Sequence, residues 1–229
     1  MKHGIYWILL FCLLACTKIT PDPAVAELPT PEPVRYTVVL DFGHGGFDGG
    51  ASGTETGVIE ADLNLAVGKR VEKVLTEAGC RVILTRQDEQ ALGATKREDM
   101  QARGEILRSP EADCTVSIHM NKFRDRKVRG PMTFYQAGAE DGQRLAQCVM
   151  DALCEALEKP TRSANPANNF VTRIPIAPSV LVECGFLSNA SDEQKLQDPV
   201  YQQTLADAVA KGVLRFLEGD TDPAQTESP

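Results

Sequence analysis

The sequence predicts an α/β domain built on a mainly parallel, twisted sheet with helices on both faces. Three observations carry that prediction. Short apolar runs of strand length recur, stretches with apolar residues on one helical stripe separate them, and 229 residues that are 42% hydrophobic suffice for one full core. The first strand is "YTVVLD" (36–41), a near-continuous apolar run of the kind buried on both faces. A helix follows in "ADLNLAVGKRVEKVLTEAG", where Leu63, Val67, Val71, Val74 and Ala78 share a face and Gly79 ends the pattern. "CRVILTR" (80–86) is the next strand, and a highly charged helix spans Thr95 to Leu107. Strands at "DCTVSIH" (113–119) and "PMTFYQ" (131–136) precede a helix over 139–158 with Leu145, Val149, Leu153 and Leu157 on one stripe. "SVLVEC" (179–184) is a further strand, and Ser191 to Gln194 has the pattern of a capping box opening a short helix. Pro199 suits the first turn of the last helix, whose inner face is Leu205, Val209, Val213 and Phe216.

The ends of the chain read differently. Ile5 to Ala15 ("IYWILLFCLLA") is an apolar run too short to span a membrane comfortably, and it ends Leu13-Leu14-Ala15-Cys16. That ending resembles the lipobox of bacterial lipoproteins, which makes residues 1–16 a signal segment and Cys16 a lipidation site; an uncleaved signal anchor is the alternative. Either reading exports the remainder and tethers it to a membrane surface in the cell envelope. Residues 17–34, with prolines at 21, 23, 29, 31 and 33, form an extended linker, and 219–229 form a disordered tail. The folded domain is therefore expected over 35–218. A net charge of −8 and 6% aromatic residues argue against nucleic acid as a partner. Five cysteines beyond Cys16 are an odd number and imply no complete disulfide framework.

Chemistry is expected where the strands end. Of three histidines, His3 lies in the export segment, which leaves His44 and His119, each at or just past the C-terminal end of a strand. Ligands bind along that edge in open α/β sheets. A third strand ends with Glu183, and two imidazoles with a carboxylate make a zinc-type donor set. Glycines on both sides of His44 allow positive φ and close approach. Taken singly, either histidine is as readily a hydrogen-bonded strand-end residue. "GHGGFDGG" lacks the dinucleotide spacing and any Gly-Lys-Ser/Thr, and neither His-Glu-x-x-His nor Gly-x-Ser-x-Gly occurs.

Together "VVLDFGHGGFDGGASG", "GVIEADLNLAV", "VILTR", "VSIHMN" and "PSVLVECGFLSN" resemble the zinc-dependent N-acetylmuramoyl-L-alanine amidases of the type-3 class, cell-wall and spore-cortex members included. The resemblance covers 36–217. It implies hydrolysis of the amide between N-acetylmuramic acid and L-alanine in peptidoglycan, with one Zn2+ held by His44, Glu60 and His119. It further implies a water at the open fourth zinc position as nucleophile and Glu183 as general acid/base. Glu60 would not be chosen without the resemblance, since an acid at a helix N-terminus already suits the dipole.

Other positions are less specific. The family usually has Pro where Phe42 stands, a change expected to alter a loop wall. Cys184 and Cys114 should lie on the faces opposite Glu183 and His119, in the core. Asn121 and Arg173 occupy positions where the family tends to place polar groups near the cleft, although plain loop surface explains each as well. Arg97 and Arg103 read mainly as a solvated helix face. The stretch "TFYQAGAEDGQRLAQ" has no room for the blocking helix found in some type-3 amidases, so an open site is expected, with a regulatory protein partner still open. A zinc carboxypeptidase acting on stem peptides and a non-catalytic peptidoglycan-binding relative are the competing functions.

Overall fold

The computed structural model describes residues 34–219. Its elements in chain order are β1 (Tyr36–Phe42), α1 (Glu60–Glu77), β2 (Cys80–Leu84), α2 (Lys96–Leu107), β3 (Cys114–Asn121) and β4 (Met132–Gln136). There follow α3 (Glu140–Ala156), β5 (Asn165–Ala167), α4 (Phe170–Arg173), β6 (Ser179–Phe186), α5 (Ala190–Leu196) and α6 (Pro199–Glu218). The sheet runs β2-β1-β3-β6-β4-β5. β2, β1, β3 and β6 are parallel, β4 is antiparallel to β6, and β5 is parallel to β4.

The strands are apolar throughout because both faces are covered. Val38, Leu40, Phe42, Val116, Ile118, Val180 and Val182 point to one side and pack with α1, α3 and α6 into the larger core. Val39 and Leu181 point to the other side and meet Leu107 of α2 and Val171 of α4 in a smaller one. Alternation along each strand therefore fixes which side chains reach which layer. Asp41, Ser117, His119 and Glu183 share the phase of Val39 and Leu181, so they belong to the α2/α4 side. Cys114 and Cys184 have the opposite phase and are fully buried in the larger core. All five described cysteines are free thiols.

Several expectations need revision. The capping residue of α5 is Asn189, whose side chain accepts from the Ser191 and Asp192 amides, so the box does not open at Ser191. β2 stops at Leu84, two residues short of the expected end, and Thr85 and Arg86 turn their side chains inward instead. Phe42 is no loop wall: it is fully buried, and a Cβ on Gly68 of α1 would lie 2.2 Å from its ring. β5 and α4 were not anticipated, being three and four residues long with little periodicity. The β4–α3 connection is only 137–139, with no inserted helix, as expected.

The signal segment with Cys16, the linker up to residue 33 and the tail beyond Gly219 lie outside the described residues. Among the described residues no helix is long and apolar enough to cross a membrane.

Candidate active site

After β1 the chain goes to β2 on one side and then to β3 on the other, so the strand order reverses between β1 and β3. A crevice opens at such a point, outside the carboxyl ends of the strands. His44 lies two residues past β1, and His119 lies near the end of β3. Glu183 stands directly beside His119 in the β3/β6 register. Glu60 arrives from a different direction, as the first residue of α1.

Glu60 is the hub of this arrangement. Its Oε1 lies 2.8 Å from His119 Nδ1 and 3.2 Å from His44 Nε2, while Oε2 accepts from the Ala51 amide at 2.7 Å. One donor atom from each of the three residues lies within 4.8 Å of the others. The imidazoles meet edge to face, with centroids 5.0 Å apart. Burial opposes the charged Glu60 carboxylate, but His119 and His44 hold it well below the usual carboxylate range.

The other nitrogen of His44 is already committed. Nδ1 lies 2.9 Å from Asp48 Oδ2, which leaves Nε2 to face Glu60. Partial burial works against ionised Asp48, yet the Lys96 ammonium and His44 hold its carboxyl down at about 2. Burial likewise opposes a charged His44, and Glu60 and Asp48 outweigh it and raise the imidazole pKa. Sequence reasoning overlooked Asp48, although a carboxylate four residues after a candidate ligand is a signal for a histidine-orienting group.

His44 adopts φ 62, a left-handed conformation uncommon for a residue with a side chain. Three side chains hold it there. Arg86 donates to Phe42 O at 2.8 Å, Gly43 O at 3.1 Å and Ala61 O at 2.7 Å. Arg103 reaches Phe42 O at 3.1 Å and His44 O at 3.0 Å, and Asn64 reaches Gly43 O at 3.0 Å. Arg103 also pairs with Asp41 at 2.5 Å, and Thr85 and Ser117 complete the shell of that carboxylate. Burial would raise the Asp41 pKa, but Arg103 foremost and these hydroxyls lower it. Arg103 is therefore no part of a solvated face, while Arg97 is exposed as expected.

Glu183 has a different character. Its Oε2 is buried without a hydrogen-bond partner among the described residues. Burial pushes its carboxyl up to about 7 against the pull of His119, with Glu60 adding to the rise. Beside both imidazoles lies a cavity of about 140 Å³, walled by Lys96 and Met100 of α2 and Val171 of α4.

The remaining candidates stand further out. Asn121 closes β3, and its carbonyl accepts from the Leu187 amide at 2.7 Å. Arg173 is exposed at the end of α4 and donates to Asn168 at 3.4 Å. The structure brings neither into the His-Glu-His cluster.

The donor set suits zinc, two imidazole nitrogens and one carboxylate oxygen being among its ordinary ligands. Space for it is specific. A Cβ on Gly43 would fall 2.1 Å from His119 Nε2, and one on Gly50 would fall 2.6 Å from Glu60 Oε2 and 2.7 Å from His44.

Comparison with known proteins points the same way. Residues 38–215 match the family described as N-acetylmuramoyl-L-alanine amidase. The germination-specific N-acetylmuramoyl-L-alanine amidase of Bacillus subtilis is 34% identical over 197 residues, covering 82% of each chain. Among solved structures, the CwlD amidase of Clostridioides difficile, in complex with the GerS lipoprotein, superposes with TM-score 0.77 at 34% identity, covering 81% of this chain and all of that one. The catalytic domain of CwlV, an N-acetylmuramoyl-L-alanine amidase from Bacillus (Paenibacillus) polymyxa var. colistinus, gives TM-score 0.72 at 32% identity over 80% of this chain and 98% of that one. This chain belongs to the N-acetylmuramoyl-L-alanine amidase family and is a hydrolase of that kind.

Proposed function

We propose that this hydrolase depends on zinc, holds it through His44, Glu60 and His119, and uses Glu183 as general acid/base to cut N-acetylmuramic acid from L-alanine in peptidoglycan. The observation that carries the reading is the pairing of a three-donor cluster with a partnerless, buried carboxyl one strand away. Bound zinc would supply a Lewis acid that acidifies water and polarises the amide carbonyl. Glu183 does the proton work. Burial makes the Glu183 carboxyl a better proton acceptor than an exposed carboxylate, and it stands beside His119, so it can take the proton of the attacking water and return it to the departing alanine nitrogen. The C–N bond breaks with a proton delivered to nitrogen, which spares the amine from leaving as an anion. Asp48 fixes the His44 ring, and Arg86, Arg103 and Asn64 fix its backbone.

The same proposal places this domain, 35–218, in the cell envelope. Residues 1–16 direct export, Cys16 carries the lipid, and 17–34 link it to the domain in the sequence. One solved relative is complexed with a lipoprotein, and control of this chain by a protein partner belongs to the reading. Spore-cortex peptidoglycan is a substrate to test, given the germination-specific relative.

The metal requirement is tested by stripping the full chain with a chelator and restoring it with zinc, with free peptide stems read by mass spectrometry. Stem release should vanish and return at one zinc per chain, and be absent in His44→Ala and His119→Ala. Undiminished release from the stripped chain would overturn the metal assignment.

A further inference from the structure

We propose that the β3–β4 loop over 122–129 is the docking edge for the acidic peptide stems of peptidoglycan, an inference that rests on the amidase reading and extends it. These eight residues contain Lys122, Arg124, Arg126, Lys127 and Arg129 against one acid, Asp125, in a chain whose net charge is −8. All five cations are exposed.

The loop is built, not slack. Phe123 N donates to Ser188 Oγ at 3.0 Å, Asn189 donates to Arg126 O at 2.7 Å, and Gly130 N donates to Asp192 at 2.6 Å. Asp125 is turned to the loop's own backbone, accepting from Lys127 N at 2.9 Å. Lys122 donates to Ser52 O at 2.8 Å, and Arg126 pairs with Glu55. Those two cations fasten the loop. Arg124, Lys127 and Arg129 have no ion pair among the described residues, so a fixed main chain presents three unneutralised charges on one short stretch of loop. Their mutual repulsion is relieved by an anionic partner.

Position says which anion. The loop starts three residues past His119; of its fastenings, Ser52 lies in the β1–α1 connection that carries His44, and Ser188 lies two residues past β6, the strand of Glu183. A peptide stem carries carboxylates at its glutamate and at its C-terminus. An extended chain advances roughly 3.3 Å per residue, so a four-residue stem reaches on the order of 13 Å from the cut amide. Phe123, 56% exposed in the same loop, offers an apolar surface to the alanine methyls.

The test uses the zinc-loaded full chain carrying Glu183→Gln, which keeps the probe intact. Two labelled muropeptides with a tetrapeptide stem are compared by fluorescence anisotropy, one with free carboxylates and one with carboxamides in their place. The free acid should bind about tenfold tighter, the size two exposed ion pairs supply together. That preference should disappear in Arg124→Gln/Lys127→Gln/Arg129→Gln and at roughly 0.5 M salt. Equal affinity for both probes, with stems still released by the chain with Glu183 intact, overturns the docking edge and leaves the amidase reading standing. A free-acid preference without stem release keeps the docking edge and removes the amidase reading. Loss of binding to anionic phospholipid vesicles in the triple variant, with its muropeptide preference unchanged, overturns the peptide in favour of a membrane.

Discussion

His44 holds a strained backbone and a fixed ring at once, and different residues do each job. Asp48 sets the ring by engaging Nδ1. Asp48→Ala should weaken zinc binding about 10- to 100-fold, read by competition with a chromogenic chelator, and lower the metal-free melting temperature modestly through the lost pairing with Lys96 and His44. Glu183 predicts a pH effect. Its carboxyl titrates near 7 when folded and near the ordinary ~4.3 when unfolded, so the metal-free folded state holds the extra proton between those values. Stability then falls as pH rises through that window. Glu183→Gln should remove this carboxyl's share of the slope and stabilise the metal-free protein at pH 8 by roughly 3 kcal/mol in urea titrations. A flat parent profile would contradict this. The strand-end positions of His44, His119 and Glu183 were legible because a polar residue closing an apolar run stands out. Glu60 needed the family resemblance, since its contacts with both imidazoles join positions far apart in the chain.

Elements reach the site through packing that single segments conceal. α2 carries no clear apolar stripe, so Arg103 read as solvated; its partner Asp41 was the missed signal, a charge ending a buried strand that must find a cation. α1 shows the reverse case. Its pattern was legible, but Gly68 is small because Phe42 lies against it. Gly68→Ala gains about 1 kcal/mol of helix propensity and overpacks a fully buried ring at a cost of about 1–3 kcal/mol, so a net loss is expected. Phe42→Leu in the same chain should recover part of it, a coupling that a double-mutant cycle in urea measures. Additive effects would show that the ring and the glycine are independent.

Across the whole molecule, a mainly parallel sheet followed from alternating helices and continuous apolar strands; the strand order, which the sequence left open, creates the crevice between β1 and β3. β4 was legible as a strand, but its antiparallel direction was not, because direction depends on connections that leave no periodic trace, and β5 is too short to show a pattern. At this scale the export reading predicts that Cys16→Ser shifts the chain from the detergent phase to the aqueous phase in a two-phase extraction of cells; unchanged partitioning would contradict lipidation. Fold, metal cluster and one carboxyl act together in the proposed hydrolysis. It is tested most directly by mass spectrometry of purified peptidoglycan treated with the zinc-loaded full chain beside Glu183→Gln, with bound zinc measured in both. Stems freed at L-alanine are expected from the parent, with a rate about 10²- to 10⁴-fold lower in a variant that still holds one zinc. Equal release by both would contradict it.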